Sequence, residues 1–462
     1  MNFVAREMEL ALLDDLYKRS IGKTSLINHW AEGIDGRYLC GGATQASKIN
    51  QLRNFSQTLW QFINPNSRID PTFSYSTWEA AFTEVSRLAA EERIVLILDE
   101  FTYVMQANPE VPSILQHAWD HLLKQSNVFL ILSGSLAGVI QRTALDYQSP
   151  LYGRATARLK VQQLPFGALA EMLPEYEPDK RVAVYAITGG VPAYIEQFDD
   201  SLNIVQNLQQ RIVSPTNVML NDAPFLLHEQ LDEPRNYMSI METIGAGFHN
   251  LTDIAKMAGV PRSNLSKYLS LLAELGYIER QVPATVRRPA QSRQGRYVII
   301  DPYLRFYFRF LAPNLSSIER GRSRQTISLL SDHLPDFIGT HTFEELCREW
   351  VSVRAEMNEL PFLPERVGSF WSKQAQVDVL AINRRWDARS FILFLIRLRR
   401  CYPKVSNGRS TMPSFLVMAL LSLLRTRRRV RVRCWLLCRR LRWIFGAGWL
   451  CMRDEGFRAA RL

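Results

Sequence analysis

Apolar residues recur along this chain with two periods, and the switches between them mark out its elements. RIVLILDEF, Arg93 to Phe101, is a continuous apolar run closed by two carboxylates, as expected of a parallel strand buried on both faces. A second such run, VFLILSGS, covers Val128 to Ser135, and GRYLC, ending at Cys40, reads as a shorter buried strand. Around them lie stretches with helical spacing, near Glu7 to Tyr17, Gln45 to Phe62, Ser76 to Ala90 and Ser113 to Gln125. Strands alternating with helices predict a doubly wound α/β sheet.

From Gly167 to about Arg235 the pattern is helical, broken by TGGVPAY at Thr188 to Tyr194, where two glycines and a proline enforce a turn. Asn250 to Arg280 carries a short helix, a turn at Ala258-Gly259-Val260 and a longer helix opened by Pro261 at its first position. The strand-like YIERQV and RYVIID on either side of a basic loop extend this helix-turn-helix layout to a winged helix. A third unit begins near Asp301 with DPYLRFYFRFL, continues through HTFEELCREWVSV and runs into the strand QVDVLAIN at Asn383.

Composition changes this picture at one end only. With 462 residues, 47% of them hydrophobic and 11% aromatic, there is core material for about three domains, and wholesale disorder is excluded. The formal charge is +11, but Arg384 to Leu462 holds 20 Lys and Arg against 3 Asp and Glu, leaving 36 against 42 in the first 383 residues. The body stands at −6 and the tail at +17, so attraction to phosphates cannot be argued for the whole molecule. The tail reads either as a basic segment for anionic partners or as a stretch translated out of frame. Four cysteines, Cys401, Cys434, Cys438 and Cys451, fall in it; Cys40 and Cys347 alone remain in the body, which excludes a disulfide framework there. The acidic, amphipathic start argues against a secretory signal. The longest apolar run, Ser414 to Leu424, falls short of the ~18 to 20 residues that span a bilayer. A cytoplasmic protein with no membrane partner is the expectation.

The candidate chemistry begins at SIGKTSLINHW, where Gly22-Lys23-Thr24 opens a helix like the second half of a phosphate-binding loop. Such loops surround phosphates with backbone N–H groups and a helix N-terminus, while the Lys reaches the terminal phosphates and the Thr hydroxyl ligates Mg²⁺. Asp99 and Glu100, at the end of LILDE, supply the complementary pair, an acid to hold Mg²⁺ and an acid to polarise an attacking water. One part is missing. The full loop asks for a glycine five residues before Gly22, where Tyr17 stands, and LLDDLYKRS is charged and helical where a buried strand belongs.

These segments together resemble the archaeal-type AAA-like ATPases, prokaryotic P-loop proteins that join an ATPase, a winged helix and a C-terminal nuclease-like domain of unknown function. The likeness rests on FVARE at Phe3 to Glu7, GKTSLINHW, LILDEF, LILSGS, LYGRATARL at Leu151 to Leu159, GGVPAY, the helix-turn-helix, DPYLRFYFRF, FEELCRE and VDVLAIN, and covers nearly all of residues 1–383. It implies an α/β fold with a P-loop NTPase-like parallel sheet, then a winged helix-turn-helix and a truncated α+β nuclease-like domain. The boundaries expected are 1–165 for the ATPase domain, 166–240 for a helical lid, 241–300 for the winged helix, 301–383 for the partial PD-(D/E)xK nuclease-like domain and 384–462 for the tail.

The resemblance also implies site residues. Gly22, Lys23, Thr24 and Ser25 would bind ATP, Thr24 and Asp99 would hold Mg²⁺, Glu100 would act on water, Ser135 would be a polar sensor and Arg154 would sense the γ-phosphate. Asp378, with Glu344 or Glu345 on the preceding helix, would be half of a nuclease-like metal site, whose Glu-x-Lys partner strand is absent from RRWDARSFILFLIRLRR. In the winged helix Arg262, Asn264 and Lys267 would face a major groove, with Arg287, Arg288 and Arg296 near phosphates. His117 and His121 are spaced like a metal pair but have no third ligand nearby in sequence. The expected function is ATP hydrolysis that switches the winged helix and C-terminal effector, in STAND fashion, weakened by the incomplete loop. The alternative is a DNA-binding regulator or nuclease-related protein that keeps the ATPase domain as a scaffold. DNA or another protein are the expected partners.

Overall fold

The computed structural model describes residues 22–34, 36–134, 149–159, 161–231, 234–360, 363–372, 376–383 and 392–396. They form two compact units, the first ending at Leu164 and taking in Val191–Ala193, the second comprising the remainder from Pro165.

In the first unit, helix α1 (Gly22–Gly33) precedes strand β1 (Arg37–Gly42), and α2 (Lys48–Ile63) and α3 (Trp78–Leu88) precede β2 (Ile94–Asp99). After α4 (Phe101–Ala107) and α5 (Val111–His121) comes β3 (Val128–Leu132). The three strands are parallel in the order β1-β2-β3. Every residue of β2 is buried, and its alternation feeds two cores. Ile94, Leu96 and Leu98 pack with Phe55, Leu59 and Phe82 from α2 and α3, whereas Val95 and Ile97 pack with Leu26 and Trp30 of α1. The expected two-faced burial is therefore present. Ser47 and Thr77 cap α2 and α3 by accepting from the backbone N–H groups of Asn50 and Ala80, which explains why these helices start where they do. The stretch expected to be helical as far as Gln125 instead leaves the α form after His121 and ends in a 3₁₀ turn, Leu123–Gln125.

The second unit opens with a helical region containing α6 (Pro178–Thr188) and α7 (Asp222–Gln230). Gly189, at φ 61°, turns the chain after α6, as the paired glycines predicted. Helices α8 (Pro234–Gly245), α9 (Leu251–Ala258) and α10 (Arg262–Glu274) lead into the antiparallel pair β4 (Ile278–Gln281) and β5 (Arg296–Ile299), the layout of a winged helix. Asn250 caps α9, Gly259 closes it at φ 67°, and Pro261 is the N-cap of α10 rather than its first helical residue. Next come α11 (Pro302–Phe306), α12 (Arg324–Ile338) and α13 (Glu344–Glu356), then an antiparallel sheet of β6 (Arg366–Trp371), β7 (Gln376–Asn383) and β8 (Ile392–Ile396).

Contacts run across two of the expected boundaries. Tyr303 donates its hydroxyl to the Met219 carbonyl at 2.7 Å and accepts from the Ala223 N–H at 3.1 Å, and its ring lies 4.4 Å from that of Tyr194, which ties α11 into the helical region. The sheet also continues past Asn383. Strand β8 pairs with β7 from Asn383↔Ile392 to Val379↔Ile396, because an all-apolar run satisfies the ladder of a buried strand that needs a neighbour. Residues 397–462, like the expected helix at Glu7 to Tyr17, lie outside the described residues.

Candidate functional site

The C-terminal ends of the three parallel strands finish in one line. Gly42 is opposite Asp99 in the β1–β2 ladder, and the Ala43 N–H donates to the Asp99 carbonyl at 2.9 Å. One step beyond the Leu98↔Leu132 pair, the Ser133 N–H donates to the Leu98 carbonyl at 3.0 Å and the Ser133 carbonyl accepts from Phe101 N–H at 2.8 Å. Asp99 and Ser133 thus sit side by side at the strand ends, 7% and 6% exposed. That edge is where ligands of open α/β sheets bind.

Glu100 follows Asp99 with φ 51° and ψ 41°, the left-handed region that a non-glycine side chain enters only under compulsion. Here the turn from β2 straight into α4 imposes it, held by Phe101 bonding to Ser133. Buried Thr102 approaches the Glu100 carboxylate at 3.5 Å. Sequence reading placed both carboxylates correctly at a strand end but had no signal for this strained turn.

On the opposite side, α1 begins at Gly22, so Gly22-Lys23-Thr24-Ser25 form its first turn; their side chains lie outside the described set. Four residues past Thr24, and hence on the same helix face, Asn28 stands with its Oδ1 4.0 Å from the Cys40 Sγ. Burial, and then the Asp99 carboxylate, push the Cys40 thiol above its usual range. Cys40, Asn28 and Ser133 therefore border the strand ends. Ser133 Oγ is buried with no hydrogen-bond partner among the described residues. Ser135, the expected sensor, lies outside the described residues. The signal for Ser133 was available, since it is the first polar residue after VFLIL.

Arg154 is elsewhere committed. Its Nε donates to Asp120 at 3.0 Å, its Nη2 to the same carboxylate at 2.6 Å and its Nη1 to the Pro150 carbonyl at 2.8 Å. The Asp120 carboxyl is held below the usual carboxylate range by hydrogen bonding from this guanidinium. Contact of Arg154 with a phosphate would require that pair to open. His117 and His121 approach with ring centroids 4.5 Å apart, and among the described residues no three His, Cys, Asp or Glu are grouped to hold a metal ion.

In the C-terminal sheet, the two consecutive glutamates of α13 take different roles. Glu345 binds the 6%-exposed Arg305 side chain through two bonds, 2.6 and 3.1 Å, while Arg305 also donates to the Ile299 and Ile300 carbonyls. Glu344 is the residue near Asp378. Burial, together with the Asp378 charge, pushes its carboxyl up to about 8, against the opposing Arg348 at 3.6 Å. Of the two candidate glutamates, Glu344 is the one that feels the Asp378 charge, while Glu345 is engaged by Arg305. Strand β8, ILFLI, carries no acid or lysine.

In the winged helix, α10 buries Leu265, Leu269 and Leu272 and leaves Arg262, Asn264 and Lys267 exposed. Arg287 and Arg288 are exposed on the loop between β4 and β5, and the Arg296 guanidinium lies 4.7 Å over the Trp371 ring.

The parallel sheet, the helix opening on Gly-Lys-Thr and the Asp-Glu strand end define a P-loop ATPase-type domain joined to a helix-turn-helix module. The chain belongs to the archaeal-type ATPase family. Three family models match in succession: an ATPase domain predominantly from Archaea at residues 3–198, the IclR helix-turn-helix domain at 238–282, and archaeal and bacterial proteins of unknown function at 307–394. The uncharacterised protein MJECL04 of Methanocaldococcus jannaschii is 31% identical over 395 residues, 82% of this chain and 84% of that protein. Among solved structures, the Walker-type ATPase PABY2304 of Pyrococcus abyssi is similar over 66% of this chain and 95% of its own, with 19% identity and a TM-score of 0.46. The Aeropyrum pernix ORC1 protein, solved in complex with DNA, is similar over 67% and 93%, with 11% identity and a TM-score of 0.33. Neither structural likeness is close enough to carry a functional argument. No helix among the described residues is long and apolar enough to cross a membrane.

Proposed function

We propose that this protein binds Mg-ATP at the strand ends of its first unit, with weakened affinity, and that nucleotide hydrolysis switches the winged helix and C-terminal module. The observation carrying this reading is the alignment of Asp99, strained Glu100 and Ser133 at one sheet edge. A buried serine hydroxyl with no hydrogen-bond partner among the described residues and a buried carboxylate make a donor set suited to a hard cation and phosphate oxygens. Thr24 and Asp99 would hold Mg²⁺, which when bound neutralises phosphate charge. Lys23 and the first turn of α1 receive the phosphates, with Gly22 and Ser25 contributing backbone N–H groups. Glu100 orients and deprotonates the attacking water, and Ser133 or Ser135 reports the state of the terminal phosphate. In this reading Arg154 joins them only after leaving Asp120.

Weakening follows from Tyr17 at the place of the loop's first glycine. A complete loop would bind in the micromolar range, about −8 kcal/mol, and loss of half the cradle removes several kcal/mol of that. Calorimetric titration with Mg-ATP is the test. The expected result is binding well weaker than micromolar and weaker still in Lys23→Ala; a micromolar dissociation constant abolished by Lys23→Ala would refute the weakening.

A second reading, DNA binding by the winged helix, is favoured by exposed Arg262, Asn264 and Lys267, whose helix buries its leucines on the other face. Removing Arg262 or Lys267 lowers the salt slope of duplex binding by about one unit each. An unchanged slope with DNA still bound would move the contact elsewhere. Binding that persists without nucleotide would favour the regulator alternative. A nuclease role has less support, since the half site offers Glu344 and Asp378 alone.

A further inference from the structure

The loop between β4 and β5, residues 282–295, is fastened twice. From inside, Arg280 lies across it, donating to the Pro289 carbonyl at 3.0 Å and to the Ser292 carbonyl. Gly295 makes room, because a Cβ there would stand 2.5 Å from the Arg280 Nε. From outside, the loop is bound to β6. The Ala284 N–H donates to the Ser369 carbonyl at 2.8 Å, the Arg366 guanidinium donates to the Val286 carbonyl at 2.7 Å, and the Trp371 indole donates to the Gln294 carbonyl at 3.3 Å. Ala284 is 6% exposed and packs with Val377, Leu380 and Ile382, while Gly368 lets it approach to within 3.2 Å of where a Cβ would be.

Arginines around this loop divide into two groups. Arg280, Arg305, Arg348 and Arg366 spend their donors on carbonyls, hydroxyls and carboxylates of the fold. The side chains of Arg287, Arg288 and Arg293 are exposed and make no ion pair or hydrogen bond with a described residue, and the same holds for the side chains of Arg262 and Lys267 on α10. A free loop would carry its three cations through many conformations, and bringing them to one ligand would forfeit that entropy. Here the ordering is already done, by a strand that belongs to the C-terminal module.

We propose that β6 is the positioning element of the wing: it presets Arg287, Arg288 and Arg293 so that the loop and α10 together form a two-part clamp for the phosphate backbone of duplex DNA. This rests on the DNA reading above and assigns a role to the C-terminal sheet within it. Trp371 and Arg366 are positioning residues, since they touch the loop and not the ligand. Their loss weakens DNA binding although no phosphate-contacting cation has been removed.

The test uses the full chain and two readouts. Limited trypsin digestion, with cleavage after Arg287 and Arg293 followed by mass spectrometry, should run about tenfold faster in Trp371→Ala and Arg366→Gln than in wild type. Fluorescence anisotropy with a random-sequence duplex over a range of salt should show affinity reduced severalfold in both variants. Arg287→Ala and Arg288→Ala should each lower the salt slope by about one. Equal trypsin rates in wild type and both variants, or undiminished DNA affinity in both, would overturn the proposal. Wild-type protein that shows no salt-dependent duplex binding, or prefers a polyanionic peptide, would overturn the DNA reading itself, and the trypsin rates would still decide whether β6 orders the loop.

Discussion

Each of the two three-stranded sheets holds a buried aspartate on its central strand, Asp99 on β2 and Asp378 on β7, and the two are set up in opposite ways. Asp99 ends a parallel strand, so its carboxylate stands at the edge where the chain turns away, beside a serine with no hydrogen-bond partner among the described residues and a glutamate forced into a left-handed turn. Asp378 lies inside an antiparallel strand with neighbours on both sides, and its surroundings are already occupied. Gln376 reaches its Oδ1 at 3.3 Å, and Arg348 spans from the Ser369 hydroxyl to the Asp378 carbonyl. A strand end leaves groups for a ligand, whereas a strand interior commits them to the fold. The same residue type thus stands at the edge of one sheet and in the interior of the other.

The largest expected effect tests the structural side of this contrast. Arg305→Met leaves Glu345 without its partner and two carbonyls without a donor, which should remove about 3 to 5 kcal/mol from the unfolding of the second unit. Calorimetry should show that transition falling while the transition of the first unit stays in place.

Next comes the pH dependence of the second unit. His341 is held neutral by burial, with Arg305, His249, Arg309 and Arg348 opposing its charge, and is pushed down to about 3. Its folded value lies below its unfolded value, so its contribution is complete above about pH 6.5 and is lost as pH falls toward 3. Between pH 6.5 and 5 this amounts to about 2 kcal/mol. Denaturant melts of His341→Gln should show that part of the acid slope removed; an unaltered slope would assign it to other groups.

The functional side is sharpened by a paired substitution. Asp99→Asn should abolish the Mg²⁺ dependence of ATP binding, a change of about tenfold or 1.4 kcal/mol, and Asp378→Asn should leave it untouched. Equal effects from both would erase the distinction between the two sheets. Smallest is Arg154→Ala. Its pair with Asp120 is about one-third exposed, so its loss should cost about 1 kcal/mol or less in the melting of the first unit.

Much of the candidate site was legible because continuous apolar runs such as LILDE have few ways to be buried, and a carboxylate closing one must emerge at a sheet edge. What stayed hidden depended on partners distant in sequence. Asp120 claims Arg154 from 34 residues away, and Arg305 claims Glu345 from 40. Neighbouring acids on a helix point about 100° apart, so the text Glu344-Glu345 names both without saying which faces β7. The wing cations were mostly visible as a basic loop, yet Arg296 proved to be stacked on Trp371, 75 residues further on.

The sequence by itself determined the succession of modules, the family and the residues that open α1 and close β2, because periodicity and short motifs are local properties written in order along the chain. Tertiary structure alone decided which charges are free. A guanidinium or carboxylate is available to a ligand only if no carbonyl or counter-charge reaches it first, and that competition is settled by packing between elements that the chain brings together from far apart.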